Sequence, residues 1–573
     1  RSRPSSSSPG RPVADTDILT RPAEPPAAPE QPSRRTGRRL LGALVTGLAF
    51  VALWIALDLP NRPEELSGWA FARIPLELVA LVALALVLPR RVRRVVAALA
   101  GFGIAVVLLL KALDIGMLVG FYRTFDPLSD PAYAGAGYGV LRDSVGGLRA
   151  VLVTITLAIA AVAALVLLPL AAVRVARAPG RHRRPAALAV VVLAVSWAVL
   201  AAVGTTVGPN LRVASAQTST VAADHVRDVN RGIASRAEFE RLAASDPYAT
   251  ASPDGLLAGL AGKDVLVVFV ESYGRVALED PALAPTVTAA VDRATTRLGA
   301  KGFTGRSAYL TSPTFGGLSW LAHSTLETGL PITDQVRYNA VLASQRLTLA
   351  SAFGSAGWRT VLVSPADEAD ISPVTRFYGY DALYDGPSLD YHGPKFGYAP
   401  VPDQFTLATI ARRELTSGPR PPLMAEIDLV SSHTPWAPLP RLVDPAALGD
   451  GSAYQSVLEQ AASADAVWSD STKVKQAYAD SVAYALDSLT SFVENAQDDN
   501  LVLVVLGDHQ PSAVISGEGA SRDVPVSVIA KDPAVLNRTT SWGWQPGLRP
   551  PHDGVVWPMD AFRDRFFAAF GTA

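Results

Sequence analysis

The chain has no cysteine in 573 residues. That excludes disulfides, thiolate metal sites and a cysteine nucleophile, and it removes disulfide usage as a guide to compartment. It also lacks charge of one sign. Lys+Arg total 51 against 52 Asp+Glu, a formal charge of −1. Overall charge therefore gives no footing for a nucleic-acid partner, and none is expected. Lysine is scarce, with only seven among the basic residues, and arginine takes its place. That bias suggests a GC-rich bacterial genome and says nothing about chemistry.

Apolar sequence is abundant. Hydrophobic residues make up 49% of the chain, and the mean hydropathy is +0.23. The length implies two or three units. Residues 1–39 are rich in Pro, Ser and Arg without apolar periodicity, and read as a disordered cytoplasmic tail. Five apolar stretches follow at about 40–57, 68–88, 95–119, 150–173 and 185–207. Each is close to the ~20 residues that a helix needs to cross a bilayer, so 40–207 is expected to be a transmembrane domain of about five helices. A secretory signal peptide has a single short apolar region and does not account for five.

Arginine placement sets the orientation. Arg34, Arg35, Arg38 and Arg39 precede the first stretch, and Arg90, Arg91, Arg93 and Arg94 separate the second from the third. Arg174, Arg177, Arg181, Arg183 and Arg184 separate the fourth from the fifth, while the alternate loops mix both signs. The positive-inside rule then puts the N-terminus in the cytoplasm, and five crossings put everything after about residue 208 outside the plasma membrane. Lys111 and Asp114 share one face near the outer end of the third stretch. They read as a pair of structural charges rather than a functional one.

Residues 208–262 are polar, with an amphipathic stretch near Glu238–Ala244, and read as an extracellular connector. Beyond them, 263–573 alternates strand-like runs (Asp264–Val270, Arg359–Val363, Leu423–Leu429, Leu501–Leu506, Val524–Ile529) with helical patterns (Pro285–Ala300, Leu347–Ala356, Ser471–Asn495). This alternation predicts an α/β domain whose mostly parallel sheet is covered by helices on both faces. Ligands of such sheets collect at the carboxyl ends of the strands.

Three strand ends carry chemistry. "DVLVVFVESYG" ends at Glu271, "LVLVVLGDHQ" at Asp508-His509, and "LMAEIDLVSSHTPW" at His433. Singly, each fits a charged or polar turn closing a core strand. Together, two carboxylates and an imidazole on one rim make a divalent-metal site for Mn²⁺, Zn²⁺ or Mg²⁺ that needs no cysteine. A fourth segment, "LTSPTFGGLSWLAHSTLETGLP" (310–331), is a polar, glycine-containing loop followed by a helical pattern over Ser319–Thr328. A hydroxyl at such a helix start can be a nucleophile or a plain N-cap. His323, inside that helix, reads as packed rather than ligating.

In this order, and after five apolar stretches, these motifs resemble the lipoteichoic acid synthase type of the alkaline phosphatase/sulfatase superfamily. The resemblance covers all but the N-terminal tail. It implies a metal, usually Mn²⁺, held by Glu271, Asp508, His509 and a threonine nucleophile that would form a phospho-enzyme ester. It implies that His433 serves the substrate pocket as acid, base or phosphoryl contact. Thr314, followed by Phe315-Gly316-Gly317, looks like that threonine. Counting back from Gly329 with the spacing of sulfatases and nucleotide pyrophosphatases gives Ser319, and the synthase spacing gives Gly316, which cannot react. The family's substrate-contacting arginine and tryptophan segment has no evident counterpart, Arg376 in "DISPVTRFYGYD" being shifted.

The expected activity is transfer of phosphoglycerol, or a similar headgroup such as phosphoethanolamine, from a membrane phospholipid to a cell-envelope glycan or glycolipid. The alternatives are an extracellular phosphodiesterase, phosphatase or sulfatase-like hydrolase, and a non-catalytic envelope scaffold. The absent cysteine excludes a formylglycine sulfatase made from Cys-x-Pro-x-Arg, and the Pro and Arg of a serine-derived one are not found at those offsets from Thr314 or Ser319. The segment 391–405 ("YHGPKFGYAPVPDQF") reads as a loop that either lines the pocket or packs, 541–551 ("SWGWQPGLRPP") as a packing element or else a lipid-interface contact, and 437–470 as an insertion.

Overall fold

The computed structural model describes residues 34–121, 123–181, 183–208, 211–367, 372–415, 418–517 and 519–572. Residues 1–33 of the expected tail lie outside these. Residues 34–39, assigned to that tail, instead open helix α1 (Arg34–Asp58).

The membrane half contains α1, α2 (Leu76–Val87), α3 (Arg90–Phe121), α4 (Gly147–Arg177) and α5 (Arg183–Val203). Four of these, α1, α3, α4 and α5, are long and apolar enough to cross a membrane. The expected fifth span, 68–88, is corrected. Its first part forms a 3₁₀ turn (Gly68–Ala72) and the two-residue strand β1 (Ile74–Pro75), which pairs in parallel with β2 (Ala214–Ser215). Pro75 then starts a helix of 12 residues, about 18 Å long against a hydrocarbon core of ~30 Å. Proline suits a helix start but not its interior, so the apolar run is divided there. Gly101 allows α3 and α4 to cross closely, since a Cβ there would lie 2.6 Å from Pro169 Cα.

Lys111 and Asp114 are both fully buried. Lys111 Nζ donates to Leu57 O (2.8 Å) and Thr218 Oγ1 (2.9 Å). Asp114 accepts from Asn61 Nδ2 (3.0 Å) and Phe125 N (2.9 Å) and faces His225 Nε2 at 3.2 Å. Each charge thus ties α3 to its neighbours, and they do not pair with each other. His225 and Thr218 belong to α6 (Gln217–Ala244), a 28-residue helix where a connector with one short amphipathic stretch was expected. Its charges pair along the helix, as in Arg227–Asp224 and Arg231–Asp228, a support that hydrophobic periodicity does not show.

The C-terminal half is built on nine strands. These are β3 (Asp264–Val270), β4 (Thr304–Thr311), β5 (Arg359–Ser364), β6 (Ala382–Asp385), β7 (Leu423–Leu429), β8 (Leu501–Gly507), β9 (Asp523–Ala530), β10 (Gln545–Pro546) and β11 (Val556–Pro558). Their order is β10-β4-β9-β8-β3-β7-β5-β6, with β11 also on β4. The run β8-β3-β7-β5-β6 is parallel, and β9 is antiparallel to both neighbours. Strands β3 and β8 are buried over all seven residues, as a sheet covered on both faces requires. Helices α7 (Ala284–Ala300), α9 (Asp403–Glu414) and α10 (Ser471–Ala496) cover one face, and α8 (Ser319–Thr328) lies on the other. Strands β4 and β6 were not expected. In β4, Gly305, Ser307 and Arg306 break the apolar pattern, and the strand is fixed by antiparallel pairing with β9 along its length. Trp542 and Trp544 of the 541–551 segment are buried and pack on Trp557.

Candidate metal centre and active site

In the parallel register of β3 and β8, Val270 is opposite Gly507. The next residues, Glu271 and Asp508, therefore leave the sheet side by side. The turn after Glu271 is held by several bonds at once. Ser272 adopts φ 56°, its N–H donates to Asp508 Oδ1 (2.7 Å), and its hydroxyl donates to Glu271 Oε1 (2.7 Å). Tyr478 donates its phenol to Ser272 O (2.8 Å). A left-handed non-glycine residue persists only when its surroundings over-determine it. Gly507 is required by a close approach, since a Cβ would sit 2.0 Å from Tyr273 O.

His509 is equally fixed. Its backbone N–H donates to Asp508 Oδ1 (2.7 Å), and Nδ1 lies 2.8 Å from Gln510 O. A protonated Nδ1 against that carbonyl leaves the Nε2 lone pair free to ligate. Nε2 faces Glu271 Oε1 at 3.5 Å and Asp508 Oδ2 at 3.6 Å. All three residues are buried and their ligand atoms converge.

The two helix-start hydroxyls are placed differently. Ser319 is the first residue of α8, and Leu318 before it takes φ 66°. Ser319 Oγ lies 3.0 Å from Glu271 Oε2 and 3.2 Å from His509 Nε2. It makes no N-cap bond. Thr314 is buried five residues earlier, with its hydroxyl 3.5 Å from Ser312 Oγ, and no hydrogen bond joins it to Glu271, Asp508 or His509. The turn through Gly316 (φ 72°) and Gly317 (φ 151°) separates the two residues.

The electrostatics favour a cation. Burial and the neighbouring Glu271 push the Asp508 carboxyl up to about 6. Burial also opposes the charge of Glu271, but the imidazoles of His509 and His433 hold it down at about 2. Two buried carboxylates facing one another ionise together only if positive charge lies between them. Glu271, Asp508 and His509 supply two hard oxygens and one imidazole for it, and the hydrogen bonds from Ser272 and to Gln510 O already hold them in place.

His433 stands at the rim, four residues past the end of β7. Asp403 Oδ1 accepts from Val430 N (2.9 Å) and Ser431 N (3.0 Å). Ser432 Oγ donates to Glu271 O (2.6 Å), and Trp436 Nε1 donates to Ser432 O (2.7 Å). The His433 ring stacks on Tyr398 with centroids 3.7 Å apart. Tyr398 and Asp403 both belong to the 391–405 segment, so it packs against and fixes the turn that carries His433. Its aromatic and proline content was visible, but its partner was not. Trp468, from the 437–470 segment, stacks on Trp436 at 5.8 Å. Arg376 is exposed on a short helix (Ser372–Tyr378). His323, read as packed, does stack on Phe269 (3.9 Å), yet it also faces two carboxylates that went unnoticed.

The active-site loop also touches the membrane half. A Cβ on Gly316 would lie 2.9 Å from Gly120 O, and one on Gly317 would lie 3.4 Å from the Phe121 ring. Both contacts are to the last turn of α3. The ring of Trp320, next to Ser319, lies 6.4 Å from that of Tyr133.

Residues 263–523 match the Sulfatase family model, and this domain is similar to enzymes of the alkaline phosphatase/sulfatase superfamily. Enzymes of this superfamily include phosphotransferases and hydrolases, and its members bind a divalent metal. Among solved structures the chain is similar to the lipoteichoic acid synthase LtaP from Listeria monocytogenes, at 15% identity over 48% of this chain and 67% of that one, TM-score 0.34. It is similar to the Streptococcus pyogenes phosphoglycerol transferase GacH in complex with sn-glycerol-1-phosphate, at 12% identity over 58% and 89%, TM-score 0.34. A third is the C-terminal periplasmic domain of EptC from Escherichia coli in complex with Zn, at 14% identity over 47% and 72%, TM-score 0.31. No curated protein matches the chain.

Proposed function

Taking the sulfatase-family domain of residues 263–523 as the premise, we propose that the chain is a membrane-anchored, metal-dependent phosphotransferase with Ser319 as its nucleophile. It would move phosphoglycerol, or a similar headgroup such as phosphoethanolamine, from a membrane phospholipid to a hydroxyl of an envelope glycan or glycolipid. The observation that carries this reading is the position of Ser319 Oγ, 3.0 Å from Glu271 Oε2 and 3.2 Å from His509 Nε2 at the first turn of a helix.

Glu271, Asp508 and His509 would hold one divalent cation, Mn²⁺ first and Mg²⁺ or Zn²⁺ as alternatives. When bound, it lowers the pKa of the serine hydroxyl and offsets charge on the phosphoryl oxygens. Ser319 Oγ passes its proton to water and bonds to phosphorus, and the bond from phosphorus to the lipid oxygen breaks. His433, at the rim, would protonate the departing lipid alkoxide. The acceptor hydroxyl then attacks the phosphoserine and restores Ser319 Oγ. The N-terminus of α8 favours the anionic phosphoryl group throughout.

The contact of Gly316 and Gly317 with the end of α3 supports a lipid donor, because it holds the catalytic loop at the membrane surface and raises the local concentration of headgroups. That end lies opposite the Arg90–Arg94 cluster, on the outer side by the positive-inside rule. This orientation requires the chain to come back toward the arginine level between α1 and α3, where the short helix α2 lies. Its first turn meets α6, where Ser219 N donates to Glu77 Oε1 (2.8 Å), and near its last turn Ala85 O accepts from Arg93 Nη1 (3.3 Å).

The test uses full-length protein with Mn²⁺ and a fluorescent-headgroup phosphatidylglycerol, followed by mass spectrometry of the trapped enzyme. Headgroup is expected on the peptide carrying Ser319, and Ser319→Ala is expected to be inactive. An adduct on Thr314, or an active Ser319→Ala, overturns the assignment. Free glycerol phosphate formed at one rate with or without acceptor would instead identify a phosphodiesterase.

A further inference from the structure

Helix α8 carries a second set of polar groups below Ser319. His323 follows it by four residues and Glu327 by eight, so all three share one helical face. That face lies on the sheet where β3 presents Phe269 and Glu271 and β7 presents Glu426 and Asp428. His323 Nδ1 is 3.4 Å from Glu426 Oε1 and 3.4 Å from Asp428 Oδ1.

These separations repeat those of the first cluster, where His509 Nε2 faces its two carboxylates at 3.5 and 3.6 Å. They are long for charge-assisted hydrogen bonds, which run to about 2.7–2.9 Å. They suit donors sharing an ion, because ligands about 2.1 Å from a tetrahedral centre lie about 3.4 Å apart. Charge and unmet bonding agree with this. Among the described residues, no lysine or arginine pairs with Glu426 or Asp428, and only the His323 ring faces both. Asp428 Oδ1 is buried without a hydrogen-bond partner. Glu327 is 1% exposed and its Oε1 is also unpartnered, and its neighbour Glu426 opposes its ionisation further. Glu426 Oε2 is already oriented by the phenol of Tyr380 (2.6 Å).

We propose that His323, Glu426 and Asp428 form a second divalent-cation site, one helical turn along α8 from Ser319. One imidazole and two carboxylates suit Zn²⁺ or Mn²⁺. An ion there would tie α8 to β7 and keep the first turn of the helix, and with it the Ser319 hydroxyl, in position. The site does not depend on Ser319 being the nucleophile.

The test is metal stoichiometry of the full-length chain in detergent after equilibration with Mn²⁺ and, separately, Zn²⁺, by elemental mass spectrometry. Two ions per chain are expected with at least one of the metals. His323→Gln and the near-isosteric Asp428→Asn should each hold one ion, and Glu271→Gln should also hold one while losing the other. Thermal melts identify the variants that remain folded, and the wild-type count decides even if a variant fails. A single wild-type ion that Glu271→Gln abolishes overturns the second site and leaves the proposed function standing. A single ion that His323→Gln abolishes and Glu271→Gln retains upholds this site and overturns the metal centre drawn for catalysis. Two ions retained in both His323→Gln and Asp428→Asn also overturn it.

Discussion

The two halves of the molecule bury charge in different ways. In α3, Lys111 donates to Leu57 O and Thr218, while Asp114 receives Asn61 and the Phe125 amide and faces His225. Each of these charges points at a different neighbouring segment and is satisfied where it stands. At the strand ends of the C-terminal domain, Glu271, Asp508 and His509 point at one another, with Ser319 between them. Their backbones and outer atoms are fixed by bonds, and their inner atoms are left to converge. A buried charge with dispersed, complete bonding holds elements together. A group of charges converging on one point, with supports behind them, is arranged for something that arrives later.

If that distinction holds, removing the convergent hydroxyl should have the largest effect. Ser319→Ala is expected to lower turnover by about 10³-fold or more while the metal content stays at the wild-type level. Loss of metal as well would make Ser319 a ligand first and a nucleophile second. Glu271→Gln should come next, with loss of one bound cation and a fall in turnover of about 10²-fold or more. Activity retained without that cation would dissolve the comparison.

The dispersed charges should behave oppositely. Asp114→Ala leaves His225, Asn61 and the Phe125 amide without their acceptor, at about 3 kcal/mol. The expectation is a lower melting temperature in detergent with turnover per folded molecule unchanged. Tyr398→Ala removes the ring stacked on His433 and should change kcat about three- to tenfold, with little effect on metal content or melting.

The smallest effect is one of pH. Burial raises the carboxyl of Asp403 to about 7, although the hydrogen bonds from Ser431 and Val430 oppose this. Between its unfolded value and about 7 the folded protein binds the extra proton. The contribution of Asp403 to stability is therefore fully present below about pH 3.9 and is lost as pH rises through about 7. Denaturant titrations of wild type and Asp403→Asn from pH 4 to 8 should show a decline in the first that is shallower in the second. Parallel curves would show that Asp403 keeps its charge when buried.

Much of this was legible in the chain. The apolar runs of β3, β7 and β8 mark themselves, because a parallel strand buried on both faces has no room for polar residues. The change from apolar run to Glu271, to His433 and to Asp508-His509 marks their ends. Strand β4 was missed because its identity comes from pairing with β9, and α6 because its charges, not an apolar stripe, support it. The 68–88 stretch misled for a related reason. Hydropathy sums over a window and does not register that Pro75 divides it.

Composition and periodicity alone settled the classes of answer: a membrane-associated half, an α/β domain, and hard ligands at its strand ends without cysteine. Only the tertiary structure decided which hydroxyl meets those ligands, because Thr314 and Ser319 lie five residues apart on a loop whose turn at Gly316 and Gly317 turns one inward and the other aside. It also brought His323 to Glu426 and Asp428, about 100 residues away in the chain. Neighbouring strands of a parallel sheet come from distant sequence, and no local pattern records which of their side chains share a face with a given helix.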